Sequence, residues 1–200
     1  MKTVIRSLIA LVCLSLLLAC LVGCNDTPLH VFKFDTPDNF DTLSVEEQLD
    51  WARENGYLVI SHFEEKIVIE NGVINTVEST TVVENEEKLN SFLENKREEK
   101  ELLFIMCREY QGVLECSLGG LYFDGRKYQE TKGLPTSTKE ETASNKYDIC
   151  GIEVYHGIKY LYMSNDSALT AKDMYGLTSD YDEFAKKYKL IDTLGRVNQD

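Results

Sequence analysis

The chain has 200 residues, 34 acidic against 21 basic, and a formal charge of −13, a balance that argues against nucleic acid as a partner and makes any electrostatic partner cationic. Its length suits one globular domain with a sizeable core and is too short for two.

Lys2 and Arg6 form a short basic stretch ahead of a nearly unbroken apolar run at residues 8–18, and the small Gly23 precedes Cys24. Together these describe a secretory signal. The charge-free apolar segment, residues 7–22, is 16 residues long, short of the roughly 20 that span a bilayer core. Leu21-Val22-Gly23-Cys24 resembles the lipobox of bacterial lipoproteins, in which the cysteine sulfur receives a diacylglyceryl group and becomes the mature N-terminus. Leu17-Leu18-Ala19-Cys20 fits that pattern less well. The resemblance implies a signal peptide at 1–23 and a lipid anchor on Cys24, on the outer face of the cell membrane. Two acyl chains give stable attachment where one is marginal. Without residues 1–23 the chain keeps 19 basic and 34 acidic residues, a charge of −15, which repels anionic lipid and leaves attachment to the anchor.

Residues 24–43 read as the lipidated N-terminus, a tether and an edge strand around Leu29-His30-Val31-Phe32-Lys33-Phe34. Asp35, Asp38, Asn39 and Asp41 lack the loop glycine and distal glutamate of an EF-hand, so they read as turn and helix-entry residues. A globular domain is expected over 44–194. Ser44-Val45-Glu46-Glu47 is a capping box, and the helix it opens should end before Gly56. A strand follows at 57–63, then a hairpin of 66–70 and 73–77 around Asn71-Gly72. Asn85 caps a second helix at 86–98, with Leu89, Phe92 and Leu93 on its apolar stripe.

Residues 102–107 are six apolar residues in succession, the pattern of a central strand buried on both faces. A two-residue loop at Gln111-Gly112 sets Cys107 opposite Cys116, Ile105 opposite Leu118 and Arg108 opposite Glu115. Alternation makes 107 with 116 a non-hydrogen-bonded pair, the closer kind, so the two cysteines are a candidate disulfide in an exported protein. The rival is two reduced cysteines packed in the core. A meander continues to 123, turns at Asp124-Gly125 and returns through 126–130, and residues 133–145 read as a polar loop. Residues 147–155 and 158–164 form another hairpin around His156-Gly157. One face carries Cys150, Ile152, Val154, Leu161 and Met163. The other carries Glu153, Tyr155, Tyr160 and Tyr162, which can either bind a ligand or pack under a helix. A third helix is expected from Asp180, with Tyr181, Phe184, Ala185 and Tyr188 on one face, and a loose tail at 195–200.

From about residue 67 to 164, the order of an Asn71-Gly72 hairpin, a helix around Leu89-Asn90-Ser91-Phe92-Leu93, strands, and Tyr122-Phe123-Asp124-Gly125 resembles certain small lipoproteins of Gram-positive bacteria whose own function is unknown. The resemblance implies an α+β lipoprotein fold and carries over no site. Those proteins pair cysteines around the last hairpin, where this chain has Cys150 but Met163 and Ser164 in the partner's place.

The chain contains no H-E-x-x-H, C-x-x-C, G-x-S-x-G or P-loop spacing. His30, His62 and His156 are far apart in sequence, and Cys150 falls on an apolar face, where a thiol behaves as an inert hydrophobe. No catalytic residue, metal site or cofactor is assigned. The expected fold is α+β, a mainly antiparallel sheet built from hairpins with about three packed helices. The expected function is a membrane-anchored extracytoplasmic protein binding a cationic peptide, protein or wall component. The alternatives are an extracytoplasmic hydrolase with a site assembled from distant residues and a structural envelope component.

Overall fold

In a computed structural model, residues 28–70, 73–94, 97–110, 112–176 and 184–197 are described. Cys24 and the rest of residues 1–27, Asn71 and Gly72 of the first expected hairpin turn, residues 95–96, Gln111 of the second, and residues 177–183 and 198–200 lie outside them. The protein is α+β: strands dominate, and three α-helices occur among the described residues.

Six strands form the main sheet: β2 (Leu58–Glu70), β3 (Val73–Glu84), β4 (Lys100–Tyr110), β5 (Val113–Phe123), β6 (Tyr128–Leu134) and β8 (Asn145–Tyr147), in the order β3-β2-β4-β5-β6-β8. The apolar run at 102–107 is the middle of β4, and Phe104, Ile105 and Cys107 are wholly buried. Every pairing is antiparallel except β2 with β4, because the chain leaves β3 through a helix before it returns as β4. β9 (Ile149–Tyr155), β10 (Ile158–Ser164) and β11 (Tyr188–Arg196) make a three-stranded sheet, order β11-β10-β9. β1 (Val31–Lys33) pairs with β7 (Glu140–Thr142).

The main sheet is covered on both faces, which follows from alternation along its strands. One face carries Leu58, Ile60, Phe104, Met106 and Leu121; Leu161, Met163 and Ile191 of the smaller sheet pack on it, with Leu89 and Phe92 of helix α2 (Glu86–Glu94). The other face carries Val59, Ile105, Cys107 and Leu118. Phe32, Phe34 and Phe40 cover it together with Leu49 and Ala52 of helix α1 (Val45–Glu54). Ser44 and Glu47 close the capping box of α1, each bonding the other's backbone N–H.

Four expectations need correction. The globular part begins well before residue 44, because Phe32, Phe34 and Phe40 are at most 2% exposed and build the second core. Residues 133–145 hold β7 and the start of β8 rather than one loop. The helix expected from Asp180 begins outside the described residues, and Phe184 and Ala185 are helical, but Tyr188 opens β11 instead of continuing that helix; a helix not read from the sequence, α3, runs over Ala171–Gly176. The tail is held as far as described: β11 reaches Arg196 and the Val197 N–H donates to Gly157 O at 2.8 Å.

Both hairpin registers are as expected. Cys107 stands opposite Cys116 and Met163 opposite Cys150. His156 and Gly157 both have positive φ, 50° and 74°, as a two-residue hairpin turn of this hand requires. A disulfide joins Cys107 to Cys116, their Cα atoms 4.0 Å apart. The closed loop is short, so removing the bridge should cost about 2 to 3 kcal/mol. Intact mass after alkylation under denaturing conditions checks it. From Asn25 onward the chain has three cysteines; the bridge predicts one alkylated thiol before reduction and three after.

Candidate functional site

Where the smaller sheet meets the larger, the apolar core gives way to an ionic seam. β6 presents Glu130 and Lys132 on the same face as Tyr128, and β11 presents Lys189 and Asp192 from the facing sheet. Glu130 is wholly buried; its Oε1 accepts from Ser144 Oγ at 2.8 Å and is ion-paired with Lys189 Nζ, while its Oε2 is buried with no hydrogen-bond partner among the described residues. Lys132 Nζ donates to the carbonyls of Leu190 at 2.7 Å and Ile191 at 2.8 Å. Burial lowers its pKa; the carboxylates of Asp192 and Glu130 oppose this, and the positive charges of Lys189 and Arg108 add to it.

Asp192, with its side chain 1% exposed, anchors the other end of the seam. Its Oδ1 accepts from Arg108 Nη2 at 2.8 Å and from the Thr193 N–H at 2.8 Å, and lies 3.1 Å from His62 Nε2. Burial pushes the Asp192 carboxyl up, but the hydrogen bond and charge of His62 and the charge of Arg108 outweigh it and hold the group below its ordinary value of 3.8. A depressed carboxyl contributes stability above its unfolded value and loses it as pH falls through the folded value. An acid unfolding titration of wild type against Asp192→Asn should therefore show this contribution intact at neutral pH and lost only below pH 3.8.

His62 Nδ1 lies 3.0 Å from Thr81 Oγ1 on the paired strand β3. Hydroxyl, imidazole and carboxylate thus stand in line at the spacing of a nucleophile, base and orienting group. Arg108 shares the same carboxylate oxygen.

A cavity of about 490 Å³ opens beside the seam, lined by Lys132 and Lys189, Asn145, Tyr147, Phe184 and Tyr188 among others, and not by Thr81 or His62. Burial first, and the charge of Glu130 second, push the Tyr147 hydroxyl up to about 12, so it stays a neutral donor at physiological pH.

The tyrosine face expected from the last hairpin supplies none of the described residues that line the cavity, but it packs against Tyr188, which is one of them. Tyr160 is 4% exposed, and Tyr162 stacks on Tyr188 with ring centroids 5.2 Å apart. Glu153 Oε2 accepts the Ala171 N–H at the start of α3 at 2.8 Å and the Tyr188 hydroxyl at 3.5 Å. Much of this face is therefore a packing surface, with Tyr155 half-buried against His156 at the hairpin end. Asp38 pairs with Lys139 at 3.5 Å, and Thr42 Oγ1 bonds the Asn39 carbonyl at 2.7 Å, which is turn chemistry. Among the described residues no group of three His, Cys, Asp or Glu side chains is placed to hold a metal ion.

Sequence reasoning missed the seam because its members come from strands far apart in the chain. The one local signal was parity: Tyr128, Glu130 and Lys132 alternate inward along a single strand.

Fold and site together define an α+β protein with a charged seam between two sheets. The chain matches no protein-family model, no curated protein and no solved structure.

Proposed function

We propose that this is a lipid-anchored protein on the extracytoplasmic face of the cell membrane that binds a cationic peptide, protein or wall component. The observation that carries the reading is Leu21-Val22-Gly23-Cys24 after a short basic start and a 16-residue apolar segment. Two features support it. The disulfide between Cys107 and Cys116 suits an oxidising compartment outside the cytosol. The surface following β1 is strongly acidic: Asp35, Asp38 and Asp41 are exposed, as are Glu46, Glu47 and Glu54 of α1. The single arginine of α1, Arg53, is already bonded to Glu84 at 2.9 Å and Asp50 at 2.6 Å. Only residues 25–30 separate Cys24 from β1, at most about 25 Å of extended chain, so an anchored domain sits close to the bilayer.

Replacing Cys24 with Ser should move the protein from the membrane to the soluble fraction, because the serine oxygen does not substitute for the modified sulfur, while the circular dichroism spectrum stays unchanged. The ligand is tested by pull-down from envelope extract at low and high salt, with an Asp41→Lys/Glu54→Lys variant alongside. Capture at low salt that is lost at high salt and in the variant supports electrostatic recognition. No capture at either salt overturns it.

The Thr81, His62, Asp192 line favours one second reading, an extracytoplasmic hydrolase. Its test is turnover of a small activated ester that disappears in His62→Ala.

A further inference from the structure

The cavity beside the seam has a character opposite to the rest of the molecule. In a chain with 34 acidic against 21 basic residues, the described residues of its lining include two lysines, an amide and three aromatic rings, and no carboxylate. Its volume, about 490 Å³, is within the range of small-molecule sites. The charges coupled there are Lys132, Lys189 and Arg108 against Glu130 and Asp192, a balance of plus one. Both carboxylates are already engaged, Glu130 by Lys189 and Ser144, Asp192 by His62 and Arg108.

Among the described residues Lys132 makes no direct ion pair, and the carboxylates of Asp192 and Glu130 act on it only at longer range. An ammonium has three N–H donors. Two go to the Leu190 and Ile191 carbonyls, which leaves one for the cavity that Lys132 lines. Carbonyls satisfy hydrogen bonds without neutralising charge, so this cation is held in a partly desolvated place at a cost that a bound anion would offset. Its lowered pKa has that same cause. In the same lining, Phe184 and Tyr188 are buried aromatics whose ring centroids are 5.1 Å apart. They offer an apolar wall to the body of a ligand whose charged end meets Lys132. Asn145 and the neutral Tyr147 hydroxyl add polar groups to the lining, and convergent polar groups fix a ligand's orientation.

We propose that this cavity binds a small organic monoanion, a carboxylate on an aromatic or branched apolar body, with the carboxylate at Lys132 and the body against Phe184 and Tyr188. The site is independent of the lipid anchor and of the acidic outer surface.

The test uses the full-length protein in detergent micelles, benzoate as probe, benzylamine as a cation of matched shape, and the ring resonances of Tyr147, Phe184 and Tyr188 as the readout. Benzoate should shift these resonances saturably, and benzylamine should not. Lys132→Met should weaken benzoate by about tenfold or more, the scale expected when a charge partner is lost, and Lys132→Arg should retain much of the binding. Should Lys132→Met fail to fold, Ala185→Trp, at an exposed position on the cavity lining, should abolish binding by filling the space. Cys24→Ser should leave benzoate binding unchanged, which separates this result from the anchoring result. No saturable shift up to about 20 mM benzoate, a free energy of only roughly 2 kcal/mol, overturns the proposal. So does an equal response to benzylamine, or binding that survives Ala185→Trp.

Discussion

Lys189→Met should lower the stability of the fold by about 3 to 5 kcal/mol, the range for removing one partner of a buried ion pair. The methionine keeps most of the apolar stem, so packing changes little. What is lost is the cation paired with Glu130, a carboxylate with no solvent exposure that is left, among the described residues, with Ser144 as its hydrogen-bond donor. Its Oε2 already lacks a partner, so the variant gives the charge no new way to be satisfied. Adding Glu130→Gln should recover a substantial part of the loss, because the remaining problem is an uncompensated charge and not a cavity. Denaturant unfolding of wild type, both single variants and the double variant closes the cycle. A loss under 1 kcal/mol in Lys189→Met would show that the pair carries little of the contact between the sheets.

Gly119→Ala should be at least as damaging as an ordinary overpacking change, about 3 kcal/mol or more, because the added methyl has nowhere to go. A Cβ at Gly119 would lie 2.2 Å from the Phe104 ring and 2.8 Å from the Thr131 backbone oxygen. Phe104 is wholly buried in the central strand, and Thr131 is fixed by the neighbouring ladder. The next residue faces the same constraint on the opposite side of the sheet: a Cβ at Gly120 would lie 2.4 Å from the Phe32 ring. The adjacent glycines thus admit one aromatic ring on each face of β5, which is why two residues of low strand propensity sit inside a strand. Thermal unfolding measures the effect, and a melting temperature within 2 °C of wild type would contradict the packing described.

The parts of the fold legible in the sequence were those specified by neighbours in the chain. Gln111-Gly112 and His156-Gly157 set two registers because hairpin pairing is fixed by the turn and by alternation. Ser44 and Glu47 marked the start of α1 through a local exchange of hydrogen bonds. β11 was hidden for the opposite reason. Phe184 and Tyr188 stand four apart, as on a helix, and the pairing of Tyr188 with Ser164 is a contact that no nearby turn announces. The role of Phe32 and Phe34 was equally obscured: a short alternating piece beside prolines reads as an edge, yet the rings fill a core opened by Gly120 and neighbours far along the chain. The seam was the least legible feature. Nothing local distinguishes Glu130 and Asp192, both buried, from the other acids of an acidic chain, since burial follows from which sheet face meets which.

The measurement that bears most directly on the central claim is mass spectrometry of the mature N-terminus from membranes of the native host. Anchoring through the lipobox predicts an N-terminal peptide that begins at Cys24 and carries a diacylglyceryl group on its sulfur. An N-terminus at Met1 or Cys20, or an unmodified Cys24, would contradict it.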